Sequence, residues 1–220
     1  MTDTENRRPL KVRGVNTIQR FARWLAKQNI TPNQISLTSV FFAACAATCL
    51  FLLSQFTGWQ YSVVAILAAV FIQLRLLCNL FDGMVAVEGG KGTPSGELFN
   101  DIPDRVADPL ILAAAGYSIT AFSFAAALGW LCAVLAVMTA YTRALAASIG
   151  APVDFRGPMA KQHRMAIVTV AAVFAATEPM LNLSGYAMTA ALLIIAAGCA
   201  ITVGRRARAA YLYLETKKDV

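Results

Sequence analysis

From Ile35 to Phe56 the chain carries no charged residue, and a stretch of that kind fits few environments other than a lipid bilayer. A helix needs about 20 apolar residues to cross the hydrocarbon core. Tyr61 to Phe81 meets the same requirement, interrupted only by Arg75. The run from Leu98 to Ala147 is too long for one pass, roughly 75 Å at the helical rise. It must break, and Gly116 to Ser123 is the expected turn. Met165 to Leu181, with a start before Met165, gives a fifth helix and Gly185 to Val203 a sixth. The pattern predicts an all-α, polytopic membrane protein with six transmembrane helices. Composition agrees: 58% of the residues are hydrophobic and 14% charged, where a soluble domain carries about 25% charged residues.

The net charge is +7, which in a soluble chain would suggest nucleic acid. Its distribution argues against that partner. Arg7, Arg8, Lys11, Arg13, Arg20, Arg23 and Lys27 precede the first apolar run, and Arg205, Arg206, Arg208, Lys217 and Lys218 follow the last. Basic flanks around a membrane block suit an anionic leaflet and its lipids. The segments near 57–60, 117–123 and 179–184 hold no Lys or Arg, whereas the opposite side holds both termini, Lys91, Arg156, Lys161 and Arg164. The positive-inside rule then puts both termini in the cytoplasm, with a bacterial inner membrane as the expected location. One domain, 1–220, is expected: a cytoplasmic surface segment 1–30, a membrane core 31–204 and a basic cytoplasmic tail 205–220.

Val15 to Asn29 reads as an N-terminal amphipathic juxtamembrane helix, with Val15, Ile18, Phe21, Ala22 and Leu25 on one face. The alternative is a short helix packed on the protein itself. Thr31-Pro32-Asn33 provides an N-cap followed by proline at the first helical position. Thr2 to Lys27 is too polar for a cleavable signal. Cys45, Cys49, Cys78, Cys132 and Cys199 lie in apolar stretches and read as small hydrophobes.

Ionisable groups within a membrane are costly and mark function by default. Arg75, Asn79, Asp82 and Ala86 share one face of the second helix. Asn100, Asp104 and Asp108 share a face of the third, flanked by Asp101 and Arg105. Two helices thus bring carboxylates and amide oxygens to one cytoplasm-facing cavity. Such hard donors suit Mg²⁺ or Mn²⁺. A simpler reading also stands: Asp101–Arg105, and Asp108 with Arg75 or Arg143, as buried ion pairs.

The stretch from Asn79 to Asp104, NLFDGMVAVEGGKGTPSGELFNDIPD, resembles the signature of the CDP-alcohol phosphatidyltransferase family, D-x2-D-G-x2-A-R-x8-G-x3-D-x3-D. Asp82-Gly83, Ala86, Gly96 and Asp104 match without a gap. Thr31-Pro32-Asn33, Tyr141-Thr142-Arg143 and the basic stretch RGPMAKQHR, Arg156 to Arg164, extend the resemblance. Three positions depart: Asn79 and Asn100 replace aspartates, and Val87 replaces arginine.

The resemblance implies transfer of a phospho-alcohol group from a CDP-alcohol, CDP-diacylglycerol foremost, to a small alcohol acceptor with release of CMP. It implies Asp104 as catalytic base and metal neighbour, Asp82 as metal ligand, and Asn79 and Asn100 as neutral ligands. Asp101 is the candidate to restore one missing charge, and Glu88 another. Gly83, Ala86 and Gly96 would line the substrate site, and Arg143, Lys161 and Arg164 would hold phosphate groups. A homodimer is the implied assembly. His163, in the basic stretch, reads as solvated. Gly89-Gly90-Lys91-Gly92 has neither the length nor the preceding strand of a P-loop. Two other functions stay open: a catalytically degenerate member that binds nucleotide or lipid, and a small metal or ion transporter.

Overall fold

The computed structural model describes residues 16–28, 30–88, 90, 95–181 and 183–216. Seven α-helices account for most of them: α1 (Asn16–Lys27), α2 (Pro32–Leu52), α3 (Gly58–Glu88), α4 (Gly96–Tyr117), α5 (Ala125–Ser148), α6 (Lys161–Ala175) and α7 (Tyr186–Thr216). No strand occurs among the described residues. α2 begins as its sequence dictates. Gln34 N donates to Thr31 Oγ1 at 3.2 Å and Thr31 N to Gln34 Oε1 at 3.0 Å, a reciprocal cap with Pro32 inside the first turn.

α2 to α7 form a closed ring. Each packs chiefly on two others, in the order α2–α3–α6–α7–α5–α4 and back to α2. The interior is made largely of small residues, among them Ala43, Ala46, Ala68, Ala107, Ala133 and Ala172, which let helix backbones approach closely. At the α4–α5 crossing a Cβ on Gly129 would lie 2.8 Å from the Gly116 Cα and 2.8 Å from the Leu112 carbonyl oxygen. Only glycine fits there.

Four segments are long and apolar enough to cross a membrane: Pro32–Gln55, Gly58–Val87, Ala125–Ser148 and Tyr186–Thr216. The other two ring helices differ for plain reasons. α4 carries Asp101, Asp104, Arg105 and Asp108, and α6 has 15 residues. α4 stays helical through Pro103 and Pro109, so its neighbours outweigh the lost backbone hydrogen bonds. α3 and α7 have 31 residues each, about 46 Å of helix, and overrun a hydrocarbon core of about 30 Å. α7 passes residue 204 without a break.

α1 packs on the end of α3. Ala22 is buried against Leu80 and Met84, with Ile18 and Phe81 beside them, and the Phe21 and Phe81 rings lie 4.9 Å apart. Phe21 and Trp24 stack on each other and stay about half exposed. The basic residues Arg7 to Arg13, Lys91, Lys217 and Lys218 lie outside the described residues, as does the side chain of Glu88.

Candidate active site

One end of the ring gathers the charge. The starts of α2, α4 and α6 and the ends of α3, α5 and α7 meet there, around a cavity of about 190 Å³. Asn79, Asp82 and Gly83 from α3, and Asn100, Asp101 and Asp104 from α4, line it. Arg143 of α5 and Lys161 and Arg164 of α6 face them. Ala86, one turn past Asp82, and Gly96, at the first turn of α4, do not line it.

The carboxylates are held from several directions. Asp82 is buried, accepting a 2.7 Å bond from Ser36 Oγ of α2 and a short one from the Gly83 N–H. Asp104 Oδ1 accepts from Arg75 Nη2 at 2.7 Å and from Asn79 Nδ2 at 3.0 Å. Its Oδ2 is paired with the Lys161 ammonium. One turn on, Asp108 lies 2.7 Å from both Arg75 Nη2 and Arg164 Nη2. Asp104, Asp108, Arg75 and Arg164 thus form a buried quartet across α3, α4 and α6. Asp101 is half exposed and pairs with both Arg105 at 3.1 Å and Arg143 at 3.2 Å. The Asp101–Arg105 pair expected from sequence is present, whereas Asp108 takes Arg75 and Arg164 and not Arg143.

The segment between α5 and α6 closes the cavity's side. Arg143 lies over the Phe155 ring, 5.4 Å from its centre. Asp154 is partly buried, which would raise its carboxyl. Hydrogen bonds from the Arg156 side chain and N–H outweigh this and hold it below the ordinary carboxylate value. Gly157, with φ of 127°, sits against Thr202, and Met159 N donates to Thr202 Oγ1 at 3.0 Å. Lys161 follows two residues on, so α7 fixes the loop that delivers it. His163 lies outside the cavity lining, 2.7 Å from the Pro158 carbonyl oxygen.

Arg206 is the site residue that sequence reading missed. It lines the cavity, buried, with Nε donating to the Arg156 carbonyl at 3.0 Å and Nη1 to the Thr139 carbonyl at 2.6 Å. In sequence it is one arginine of a basic tail. The signal would have been the helical continuation of α7, four residues beyond Thr202.

The donors fit a hard divalent ion. They are carboxylates and amides, and neither imidazole nor thiol lines the cavity. Among the described residues no three His, Cys, Asp or Glu side chains converge into a cage. That suits an ion held by one or two carboxylates together with substrate phosphates.

No protein-family model matches the sequence, and no curated protein matches it in sequence. Solved structures are. Mycobacterium tuberculosis phosphatidylinositol phosphate synthase with CDP-DAG bound superposes with a TM-score of 0.73 at 20% identity, covering 90% of this chain and 94% of that one. The same enzyme with manganese and citrate gives 0.72 at 20% identity, covering 88% of each chain. Its apo form gives 0.68 at 20% identity, covering 87% of this chain and 95% of that one. Over nearly its whole length, this chain has the fold of phosphatidylinositol phosphate synthase.

Proposed function

We propose that the protein is an integral membrane transferase of phospholipid synthesis, moving a phosphatidyl group from a CDP-alcohol to a small alcohol acceptor with release of CMP. CDP-diacylglycerol is the donor best supported, since a solved structure of this fold binds CDP-DAG. The observation that carries the reading is the meeting of Asp82 and Asp104 in one cavity, opposite Lys161, Arg143 and Arg206. Carboxylates to receive a proton stand against cations to hold phosphates.

Asp104 takes the proton of the acceptor hydroxyl as the new O–P bond forms and the bond to CMP breaks. Its Lys161 partner must first be drawn off, and the donor's diphosphate supplies the competing charge. Arg143 and Arg206 bind phosphate oxygens on the far wall. Asp82, fixed by Ser36 and the Gly83 N–H, is the other acidic ligand, and Gly83 lets the substrate come close to α3. A Mg²⁺ or Mn²⁺ ion bound at Asp82 and Asp104, with Asn100 and Asp101 near, would neutralise the diphosphate and the leaving CMP.

We read α4 and α6 as crossings too, giving six, because both complete the ring. The cavity end then faces the cytoplasm of a bacterial inner membrane, with both termini on that side. The charge distribution supports this: Arg105, Arg143, Arg156, Lys161, Arg205 and Arg208 lie at the cavity end, and the opposite loops carry no Lys or Arg. The exposed Phe21–Trp24 pair supports α1 as a helix at the membrane surface, in contact with its lipids. The chain acts as one domain, and a homodimer is its proposed assembly.

A role in binding nucleotide or lipid without turnover is the second reading, favoured by Asn79, Asn100 and Val87. Purified protein with labelled CDP-diacylglycerol, Mg²⁺ or Mn²⁺ and a panel of alcohols separates the two. Acceptor-dependent CMP release is expected. Asp104→Asn should lower it about 10²-fold or more, as loss of a general base does, while CDP still binds. CDP binding without CMP release for any acceptor would leave the second reading.

A further inference from the structure

Among the described residues, three carboxylates line the cavity against five arginine and lysine side chains. Each carboxylate is engaged. Asp101 lies between Arg105 and Arg143. Asp104 gives Oδ1 to two donors from α3, Arg75 and Asn79. Behind it, the quartet of two carboxylates and two guanidiniums is neutral as it stands. Arg75 is fully buried, and its Nε and Nη1 have no hydrogen-bond partner. Its charge is held in place by Asp104 and Asp108.

We infer that Arg75 is a resident cation of this site, and that the cavity takes one divalent ion, bound more tightly with the diphosphate of a nucleotide than without it. This rests on the transferase reading and deepens it. Asp104 offers a divalent ion one oxygen, Oδ2, that is not committed to α3. Asp82 offers the other negative ligand. Without nucleotide the surplus of side-chain cations repels a divalent ion. The diphosphate reverses that sign and supplies the remaining oxygens, the usual arrangement for Mg²⁺ with a phosphorylated substrate. Asn79 belongs to the same design. A carboxylate in its place would stand about 3 Å from Asp104 Oδ1, judging by the amide it replaces. Two carboxylates so close do not both ionise unless a cation lies between them.

The test is Mn²⁺ binding to the full chain in detergent, followed by electron paramagnetic resonance, with and without CDP. With CDP, one Mn²⁺ per chain should saturate. Without CDP, affinity should be at least about tenfold weaker, within the usual range of coupling between two ligands. Asn79→Asp should tighten binding in the absence of CDP. Arg75→Met, which removes a fixed positive charge, should do the same, with Arg75→Lys near the parent. Two Mn²⁺ per chain, equal affinity with and without CDP, or an unchanged Asn79→Asp protein would each overturn the inference. Asn79→Asp is nearly isosteric and keeps the test open if Arg75→Met does not fold. One Mn²⁺ bound with CDP, but no CMP released with any acceptor, would sink the transferase reading and leave this one standing. CMP release with two Mn²⁺ per chain would do the reverse.

Discussion

Asp108 is the most enclosed carboxylate at the cavity end, and it compensates two guanidiniums. Removing one member of a buried ion pair leaves the other without compensation and costs about 3–5 kcal/mol. Asp108→Ala should therefore lower the unfolding temperature in detergent markedly, and Asp108→Asn, which keeps an acceptor oxygen, should lower it less. Equal stability of Asp108→Ala and the parent would mean that Arg75 and Arg164 find other compensation. At this scale the sequence was partly legible. Helical spacing put Asp82 on one face of α3 and Asp104 with Asp108 on one face of α4, because a helix repeats predictably. Ser36, which holds Asp82 across 46 residues of sequence, was not legible. Nor was Asn79 as a donor to Asp104. Such partners are set by how the helices meet, which periodicity within one helix does not encode.

At the scale of elements, the α4–α5 crossing is set by close backbone contact. The Gly116 and Gly129 backbones touch there, so a larger residue has to push the helices apart. Gly129→Val should cost about 1–3 kcal/mol, as overpacking does, and because α4 carries Asp104 it should also reduce CMP release. A thermal melt and an activity assay on the same preparation check both, and a fully active, equally stable variant would argue against a rigid crossing. The break between α4 and α5 was legible from the excess length of the apolar run, and the structure turns at 118–124. The full length of α7 was not. Its last turns are polar, and hydropathy reads only the part that meets lipid. This is why Arg206 looked like tail.

For the whole molecule, the ring leaves the described Lys and Arg of its loops at one end, and the topology can be tested directly. Single cysteines introduced at the exposed positions Gln60, Thr120 and Ser184 should react with an impermeant reagent added outside whole cells, above the background of the five native cysteines. Protection of all three would invert or dismiss the orientation. The end where these positions lie is tied together by Glu178. Its buried carboxylate accepts the Gly185 N–H at 2.7 Å, the Ala187 N–H at 2.8 Å and the Tyr61 hydroxyl at 3.4 Å. Ser62 Oγ adds a 2.6 Å bond to the Ala176 carbonyl. That clasp ties the start of α3, the end of α6 and the start of α7 together, away from the mouth. A corridor for ions must open on both faces in turn, and on one of them this clasp holds three helix ends together. On the proposed transferase reading, the product would leave into the leaflet from which the donor came, so the two halves of the bilayer would gain material unequally at this step. Restoring the balance would fall to some other protein that carries lipid across.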